Sequence, residues 1–225
     1  NIQLPKLGIK VNLGTEATAS LIEQAKPDVI IIATGGSPTV PKIRGIEGRN
    51  VLTMAELHRR VKGYLDFFGP KTLRSLTKFY LPIGKRVIVM GIGGGLHSHE
   101  MAEFMVKRGR QVTVVDSAKT LDDDRLPKVR NVRFLSWLAK KGVPVMTEVK
   151  YEEITDKGLT ITTKDGKRQT LEADNILPVM PWAPNPELFN SLKGKAPEVY
   201  YIGDCREPGL IMEAIGDGHR LARKI

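Results

Sequence analysis

The sequence predicts an α/β protein with two lobes, in which helices cover parallel sheets. Two short β-branched runs, at residues 29–33 and 87–90, are typical of strands that are buried on both faces, and glycines follow both. Stretches with a helical spacing of apolar residues separate such runs. A strand, a glycine-rich loop, a helix and a second strand follow one another between residues 87 and 115, and strands in this order pair in parallel.

The first forty residues are predicted to contain one helix and at least one strand. Apolar residues on one side indicate a helix over 19–25. The run 29–33 predicts a buried strand that ends before Gly35. Residues 10–13 are predicted to form a further short strand.

Residues 41–82 are predicted to form a basic helical connector. Apolar spacing indicates a helix over 53–68, which Thr53 and Glu56 begin as a capping box, and a second amphipathic stretch follows it. From residue 42 to residue 86 there are eleven Lys and Arg and three acidic residues, a local charge of +8 out of the chain's +10. The pI near 9.7 is therefore a property of this segment. Without an aromatic stacking motif or a recognition helix, it does not predict a nucleic-acid partner.

The central segment has the order of a βαβ unit. A buried strand over 87–90 leads into Gly91-Ile92-Gly93-Gly94-Gly95, and a helix over about 96–107 follows. The next strand, over 112–115, ends at Asp116. The whole unit takes roughly 30 residues, which is the usual length of such a unit.

The second half of the sequence adds a helix, a small antiparallel meander and the last elements. A helix over about 124–141 ends at Gly142. Four of its apolar side chains are predicted to face inward, namely Val129, Val132, Leu135 and Leu138. The remaining predicted strands lie over residues 143–146, 151–154, 159–163, 169–173, 176–180 and 199–202, and the final helix over 210–225. A Lys-Asp-Gly-Lys turn at 164–167 predicts a hairpin.

Length and composition exclude several classes of protein. The 225 residues, 41% of them hydrophobic, are enough to bury a core, and no apolar run reaches the ~18 residues of a membrane-spanning helix. The one cysteine, Cys205, cannot close an internal disulfide, which favours a reducing, cytoplasmic compartment. Because the sequence starts at Asn1 without an initiator Met, we expect it to be part of a longer protein.

The glycine loop is predicted to hold a pyrophosphate. Glycines let the backbone come close to phosphate groups, and the following helix supplies unpaired N–H groups and a partial positive charge. The preferred fingerprint is Gly93-x-Gly95-x-x-Ser98, with Asp116 23 residues after its first glycine, close to the ~20 expected. Counting from Gly91 is a second register. A glycine turn without a ligand is the alternative that the pattern leaves open.

Asp116 is predicted to accept hydrogen bonds from the ribose of an adenosine. A carboxylate at the end of the second strand of a βαβ unit favours NAD over NADP, whose 2′-phosphate it would repel. The combination of strand, loop, helix, strand and acid therefore predicts a Rossmann-like dinucleotide-binding lobe.

Gly203 and Asp204 form a second candidate site near the end of the sequence. They follow a predicted strand and precede Pro208-Gly209 and a helix, so a close-approach glycine, a carboxylate and a helix start come together. A second phosphate-bearing or polyhydroxylated ligand is one interpretation. A turn or helix cap at Asp204 is the other.

Other reactive side chains are not predicted to be catalytic or to bind metal. His97 and His99 lie two residues apart, which does not place them on one helix face, and no third ligand is close by. Ser98 lacks the G-x-S-x-G elbow of hydrolases. Cys205 has no second cysteine for a dithiol, which leaves a reactive thiol at a helix start as its functional interpretation.

Three segments together resemble a known family. Ala33-Thr34-Gly35-Gly36, the glycine loop ending in Asp116, and Tyr201-Ile202-Gly203-Asp204 occur in the order used by two-dinucleotide flavoprotein reductases of the pyridine nucleotide-disulfide oxidoreductase superfamily. The sequence is most similar to the C-terminal part of clostridial-type 2-enoate reductases, relatives of 2,4-dienoyl-CoA reductase and trimethylamine dehydrogenase. The resemblance covers nearly the whole sequence.

The resemblance implies a parent enzyme with an FMN-bearing barrel and an iron–sulfur cluster, an FAD domain and an NADH domain. Electrons would pass from NADH to FAD, through the cluster to FMN, and on to an activated carbon–carbon double bond. Glu100 would lie near the nicotinamide, Gly35 would line the FAD side, and Asp204 would bond a ribityl hydroxyl. The candidate cofactor-binding residues are Gly91, Gly93, Gly94, Gly95, Ser98, Glu100, Asp116, Ala33, Thr34, Gly35, Gly203 and Asp204.

The predicted organisation is a Rossmann-like NAD lobe inserted in an incomplete FAD-binding lobe. The NAD lobe, over 83–175, combines a parallel sheet with the antiparallel meander, and the FAD lobe comprises 1–40 and 176–225. That lobe is incomplete because the sequence starts after the first βαβ unit, whose glycine loop would hold the FAD adenosine. FMN and the cluster belong to the missing part of the parent, and the connector over 41–82 is a candidate docking surface for it.

The predicted function is the NADH-binding and electron-input module of a flavin-dependent oxidoreductase that reduces activated carbon–carbon double bonds. No catalytic residue is predicted, because hydride transfer needs proximity and exclusion of water more than an acid or base. The fragment alone is expected to be inactive. The alternative is a non-catalytic nucleotide-binding or domain-interaction module with a degenerate glycine loop. The expected partners are NADH, the FAD half and the FMN barrel, with neither a membrane nor nucleic acid.

Overall fold

The chain folds into two compact units. The computed structural model describes residues 4–225 except 55, 58, 60–71, 73–76, 78–80, 92–95 and 122–127. Unit 1 comprises Asn1–Pro38 and Trp182–Ile225, and unit 2 comprises Thr39–Pro181. Unit 2 is therefore inserted in the sequence of unit 1.

Strands and helices alternate through the βαβ unit, whereas six strands follow one another between residues 145 and 183. In chain order the strands are β1 (Val29–Ile32), β2 (Ser37–Pro38), β3 (Arg86–Gly91), β4 (Gln111–Asp116), β5 (Val145–Met146), β6 (Lys150–Thr155), β7 (Gly158–Thr162), β8 (Arg168–Glu172), β9 (Asn175–Val179), β10 (Trp182–Ala183) and β11 (Glu198–Tyr201). The helices are α1 (Ala19–Ala25), α2 (Leu96–Val106), α3 (Lys128–Lys140), α4 (Glu187–Leu192) and α5 (Ile211–Ala222), with 3-10 turns at Pro5–Leu7 and Gly203–Cys205.

A four-stranded parallel sheet in the order β5-β4-β3-β9 forms the centre of unit 2. Its strands are continuous apolar runs because both faces are covered. Met105 of α2 and Leu138 of α3 pack on one face, in a core cluster that includes Val89 and Val114. The predicted α/β class and the parallel βαβ unit are confirmed.

A three-stranded antiparallel sheet, β6-β7-β8, belongs to the second core cluster of unit 2. Ile88 and Met90 of β3 share this cluster with Leu159 and Ile161 of β7. The β7–β8 hairpin turns at Gly166, which has a φ of +81°, a conformation that glycine adopts without strain. The predicted meander and hairpin are confirmed.

Unit 1 is built on a two-stranded parallel sheet, β1-β11, and a short antiparallel ladder, β2-β10. Ile30 and Ile32 of β1 pack with Leu192 of α4 and with the fully buried Cys205. The sequence did not predict α4, β2 or β10, because two residues are too few to show a strand pattern and six are too few to show a helical one.

Two expectations about strands differ from the structure. Residues 10–13 form no strand; Val11 and Leu13 are 53% and 86% exposed. The strand predicted at 176–180 is β9, which pairs with β3 and so belongs to unit 2 rather than to the lobe with residues 1–40. The predicted boundary at 176 therefore moves to 182, and residues 41–82 also fall within unit 2.

The buried face of α3 differs from the predicted one. Val129 and Val132 are each 62% exposed, whereas Asn131 and Leu138 are buried. Val129 lies nine residues before Leu138, about 2.5 helical turns, and so occupies the opposite side of the helix. The prediction selected apolar residues rather than residues on the same side of the helix as Leu138. Of Val129, Val132 and Leu135, only Leu135 packs against the core.

Much of the predicted helix over 53–68, and of the amphipathic stretch after it, lies outside the described residues. At its start, the amide of Glu56 donates to Oγ1 of Thr53 at 3.2 Å, as a capping box requires. None of the helices in the described ranges has the length and apolar character needed to cross a bilayer.

Candidate functional site

Three of the predicted cofactor-binding residues meet at the carboxyl ends of β3 and β4. Gly91 ends β3, Asp116 ends β4 directly opposite it, and Ser98 lies in the first turn of α2. A Cβ atom at Gly91 would lie 2.2 Å from Oδ2 of Asp116 and 2.9 Å from Oγ of Ser98. Both distances are shorter than the ~3.5 Å of an ordinary non-bonded contact, so a side chain at position 91 would displace the Asp116 carboxylate and the Ser98 hydroxyl.

The Asp116 side chain is fully buried. Its Oδ1 accepts a hydrogen bond of 2.7 Å from the amide of Ala118, which orders the turn after β4. Its Oδ2 lies over Gly91. Asp116 therefore occupies the strand end where a ribose is recognised in βαβ units, and its contact with a ligand stays a prediction.

The three glycines at the centre of the loop, Gly93, Gly94 and Gly95, lie outside the described residues. Their role in holding a pyrophosphate stays a prediction. The adjacent α2 begins at Leu96, so the partial positive charge of its N-terminus lies next to the end of the loop.

Tyr151 is not among the residues that the sequence predicts, yet it contacts the same strand ends. Its hydroxyl donates to the carbonyl oxygens of Gly91 and Val115, the latter at 3.1 Å. Burial and the charge of Asp116 raise the pKa of Tyr151 well above its ordinary value, so the hydroxyl stays neutral. The sequence carries no signal for this contact, because Tyr151 is 60 residues from Gly91.

Glu100 presents its carboxylate at the surface of α2. Its Oε1 lies 3.5 Å from Nη2 of Arg130, and both side chains are about half exposed. The neighbouring His99 is instead buried, and its ring stacks on Phe134 with the centroids 4.1 Å apart. Within the described part of the chain, no three His, Cys, Asp or Glu side chains form a group that could hold a metal ion.

In unit 1, the other candidate residues lie at the carboxyl ends of β1 and β11, which pair in parallel and so end at one sheet edge. They are Ala33, Thr34 and Gly35 after β1, and Gly203 and Asp204 after β11. A Cβ atom at the adjacent Gly36 would lie 2.8 Å from the carbonyl oxygen of Ala183 and 3.3 Å from that of Asp204. Gly36 is thus a close-approach glycine that the sequence alone did not single out.

Asp204 is half-buried and closes its own loop. Its Oδ1 accepts a hydrogen bond of 3.2 Å from the amide of Gly209. Gly203 has a φ of +64°, which favours glycine, and its amide donates to Asp217 of α5. The turn interpretation of Asp204 is therefore observed, and a ligand contact through the other carboxylate oxygen stays a prediction.

Cys205 is a packing residue. It is fully buried, and its Sγ donates to the carbonyl oxygens of Ile32 and Ile202 at 3.2 Å and 3.0 Å. A reactive thiol needs access to solvent, so the functional interpretation of this cysteine is not supported.

Comparisons with known proteins match nearly the whole chain. It is 28% identical over 224 residues to the NADH oxidase of Thermoanaerobacter brockii, which covers 99% of this chain and 32% of that protein. It is 22% identical over 224 residues to the cinnamate reductase of Clostridium sporogenes, covering 99% and 30%. A solved structure of 2-naphthoyl-CoA reductase with 2-naphthoyl-CoA is 34% identical with a TM-score of 0.82, covering 100% of this chain and 31% of that one. The chain thus spans about a third of the length of these relatives.

Both groups of candidate residues fall within a single family match. The pyridine nucleotide-disulphide oxidoreductase family matches residues 7–218, which include the ends of β1 and β11 in unit 1 and of β3 and β4 in unit 2. The chain belongs to the pyridine nucleotide-disulphide oxidoreductase family.

Proposed function

We propose that the chain is the NADH-binding and electron-input part of a flavin-dependent oxidoreductase that reduces activated carbon–carbon double bonds. The observation that carries the proposal is the meeting of Gly91, Ser98 and Asp116 at the carboxyl ends of two parallel strands. Dinucleotides bind at this edge of open parallel sheets, next to a glycine loop and a helix N-terminus.

Unit 2 would hold NADH. Gly93, Gly94 and Gly95 would contact the pyrophosphate, Asp116 the adenosine ribose, and Glu100 would lie near the nicotinamide. The missing Cβ of Gly91 provides the space that Oγ of Ser98 and Oδ2 of Asp116 approach, so the serine at the third fingerprint position is compatible with the fold. A 2′-phosphate would meet the Asp116 carboxylate, which favours NADH over NADPH.

Unit 1 would contribute to an FAD site. Its candidate residues, Ala33, Thr34, Gly35, Gly203 and Asp204, lie at one sheet edge. Gly35 would line the FAD side, and Asp204 would bond a ribityl hydroxyl. At Gly36 a Cβ atom would meet the carbonyl oxygens of Ala183 and Asp204, so backbone packs closely at this edge. A glycine and a carboxylate at such an edge suit a polyhydroxylated ligand.

When both are bound, NADH supplies a hydride and FAD accepts it. The residues of the chain then need to bind and orient the two groups and to exclude water, rather than to move a proton. No side chain is therefore proposed as a general acid or base.

The parent enzyme would supply what this chain lacks. Relatives named as a cinnamate reductase and a 2-naphthoyl-CoA reductase are about three times as long as the chain and support a carbon–carbon double bond as the target. We propose that the remaining parts are the other FAD half and an FMN barrel with an iron–sulfur cluster. Residues 41–82 would be the docking surface for them, and the whole enzyme would work in the cytoplasm. The chain alone would then be inactive.

Calorimetric titration of the chain with NADH and NADPH tests the proposal. We expect NADH to bind, and NADPH to bind at least about tenfold more weakly, a difference of about 1.4 kcal/mol that a carboxylate beside the 2′-phosphate can supply. No binding of NADH up to millimolar concentration would contradict it. A turnover assay is the second test, since enoate reduction by these 225 residues without an added flavoprotein would overturn the electron-input role.

A non-catalytic nucleotide-binding or domain-interaction module is the second candidate. Two observations favour it: Ser98 occupies the third glycine position of the fingerprint, and Asp116 is fully buried. In this candidate the degenerate loop no longer holds NAD, so the same titration separates the two: no binding of NADH up to millimolar concentration would favour the second.

A further inference from the structure

Tyr151 belongs to the antiparallel sheet of unit 2 but bonds to the parallel sheet. It lies on β6, and its hydroxyl donates to the carbonyl oxygens of Gly91 and Val115. Gly91 is the last residue of β3, and Val115 directly precedes Asp116 at the end of β4. One hydroxyl therefore links the two strand ends that form the candidate nucleotide site.

The backbone just before Tyr151 is bonded to the turn that carries Asp116. The amide of Val149 donates to the carbonyl oxygen of Asp116 at 3.2 Å, and the amide of Glu148 donates to the carbonyl oxygen of Ala118 at 2.8 Å. The Ala118 amide in turn donates to Oδ1 of Asp116. The position of this carboxylate thus depends on the segment that carries Tyr151.

The Asp116 carboxylate has little room to move while these bonds are intact. Its side chain is fully buried, and its Oδ1 is held by the 2.7 Å hydrogen bond from the Ala118 amide. Tyr151 adds no negative charge, because burial and the Asp116 charge raise its pKa. Its hydroxyl therefore remains a hydrogen-bond donor next to Asp116.

We propose that Tyr151 is a positioning residue for Asp116 and thereby determines the preference of this site for NADH over NADPH. The inference rests on the proposed function of unit 2. A carboxylate discriminates against a 2′-phosphate only if it cannot rotate away from it, since the repulsion falls with distance. Loss of the hydroxyl removes a hydrogen-bond donor from two carbonyl oxygens at the strand ends. The turn that carries Asp116 is then less restrained, and the carboxylate can move away from a 2′-phosphate.

The variant Tyr151→Phe tests this inference in the whole chain, by titration with NADH and NADPH. We expect the dissociation constant for NADH to rise about threefold to tenfold, the effect of one lost hydrogen bond. That for NADPH should change less than about twofold, because weaker repulsion of the 2′-phosphate offsets the looser site. Tyr200→Phe is the matched control. Its hydroxyl bonds Glu198 at the surface of unit 1, and its loss should change neither constant.

A double-mutant cycle with Asp116→Asn tests whether Tyr151 acts through Asp116. In the D116N background, Y151F should change the affinity for NADH by less than about twofold, because the residue that it positions has lost its charge. An undiminished effect in D116N, an equal loss of both nucleotides, or an unchanged preference in Y151F would each overturn the inference while the proposed function stands. A parent chain that binds no NADH would overturn both.

Melting in excess nucleotide gives the same comparison if Y151F is partly unfolded. A ligand that binds only the native chain raises its melting temperature. The inference requires NADH to raise the melting temperature of the parent chain more than NADPH does. In Y151F the difference between the two rises should be smaller. Equal shrinkage of both shifts would identify Tyr151 as a residue of stability alone and would overturn the inference.

Discussion

The amide of Gly203 donates a hydrogen bond of 2.9 Å to Oδ2 of Asp217, 14 residues further along the chain. The other carboxylate oxygen accepts from Nη2 of Arg206 at 3.0 Å and from Arg220. Asp217 is buried, and the bond from the Gly203 amide lowers its pKa below the ordinary value. One side chain of α5 therefore holds the turn that carries Gly203 and the candidate residue Asp204.

Replacing Asp217 with alanine should lower the free energy of unfolding of unit 1 by about 1–3 kcal/mol, because an amide and two guanidinium groups lose their acceptor. Urea unfolding followed by pulse labelling of Cys205, which lies in the same unit, measures this change. Glu207→Ala removes an exposed carboxylate from the same loop and should change it by less than about 0.5 kcal/mol. Equal effects of the two substitutions would contradict the role of Asp217.

Unit 1 should lose stability in acid partly through Asp217. Because its pKa in the folded chain is lowered, its carboxylate stabilises the fold above the unfolded-state pKa of about 3.9, and that contribution is lost as the pH falls through the folded-state pKa. In urea titrations from pH 7 down to pH 3, Asp217→Asn should therefore show a shallower acid decline than the parent chain. Parallel declines would show that another carboxylate is responsible.

The candidate site in unit 2 was largely predictable because its pattern is local. Strand, glycines, helix and acid follow one another within one βαβ unit, and parallel pairing then places Gly91 opposite Asp116. Tyr151 and Asp217 were not predictable in this way. Their partners lie 60 and 14 residues away, and no periodicity connects a side chain to a distant backbone group.

Burial on α3 shows a second limit of sequence reasoning. Asn131 is 2% exposed and Val132 is 62% exposed, the reverse of their hydropathy. The inner face follows the phase of Leu138, which the surrounding core fixes, and residue type alone does not give that phase. The period of this helix was predicted correctly, but its rotation was not.

Cys205 should react with thiol reagents only when unit 1 opens. It is fully buried and donates to two carbonyl oxygens, so attack requires local or global unfolding. We expect labelling by a disulfide reagent to be at least about 100-fold slower in buffer than in strong denaturant, since the closed state dominates. Because this is the only cysteine of the sequence, the measurement needs no background correction. Fast labelling in buffer would show that the thiol is accessible.

Substituting Gly91 by alanine should disrupt both the fold and nucleotide binding in unit 2. The new Cβ would lie 2.2 Å from Oδ2 of an Asp116 whose Oδ1 is already bonded, and such overpacking costs about 1–3 kcal/mol. Gly218→Ala is the matched control. Gly218 lies within α5 with no atom within 4 Å of its Cβ position, so alanine there should stabilise the chain by about 0.5–1 kcal/mol.

The contrasting outcomes are measured by urea unfolding and by NADH titration of both variants. Gly91→Ala should also weaken NADH binding by about tenfold or more, because the new Cβ displaces the Asp116 carboxylate. A loss of about 1.4 kcal/mol of binding free energy is enough for a tenfold change. Normal stability and affinity in Gly91→Ala would show that the Asp116 carboxylate moves aside freely.

Ser98→Gly tests whether the serine in the fingerprint impairs the loop. The third glycine of the fingerprint serves close packing of helix against strand rather than contact with phosphate, and here the absent Cβ of Gly91 already leaves space beside Oγ of Ser98. We therefore expect the dissociation constant for NADH to change by less than about twofold, or about 0.4 kcal/mol. Stability should fall by about 0.5 kcal/mol or less, because glycine is a poorer helix former than serine. If glycine instead tightened NADH binding tenfold, the serine would be a defect of the loop, and the interaction module would become the better account of this chain.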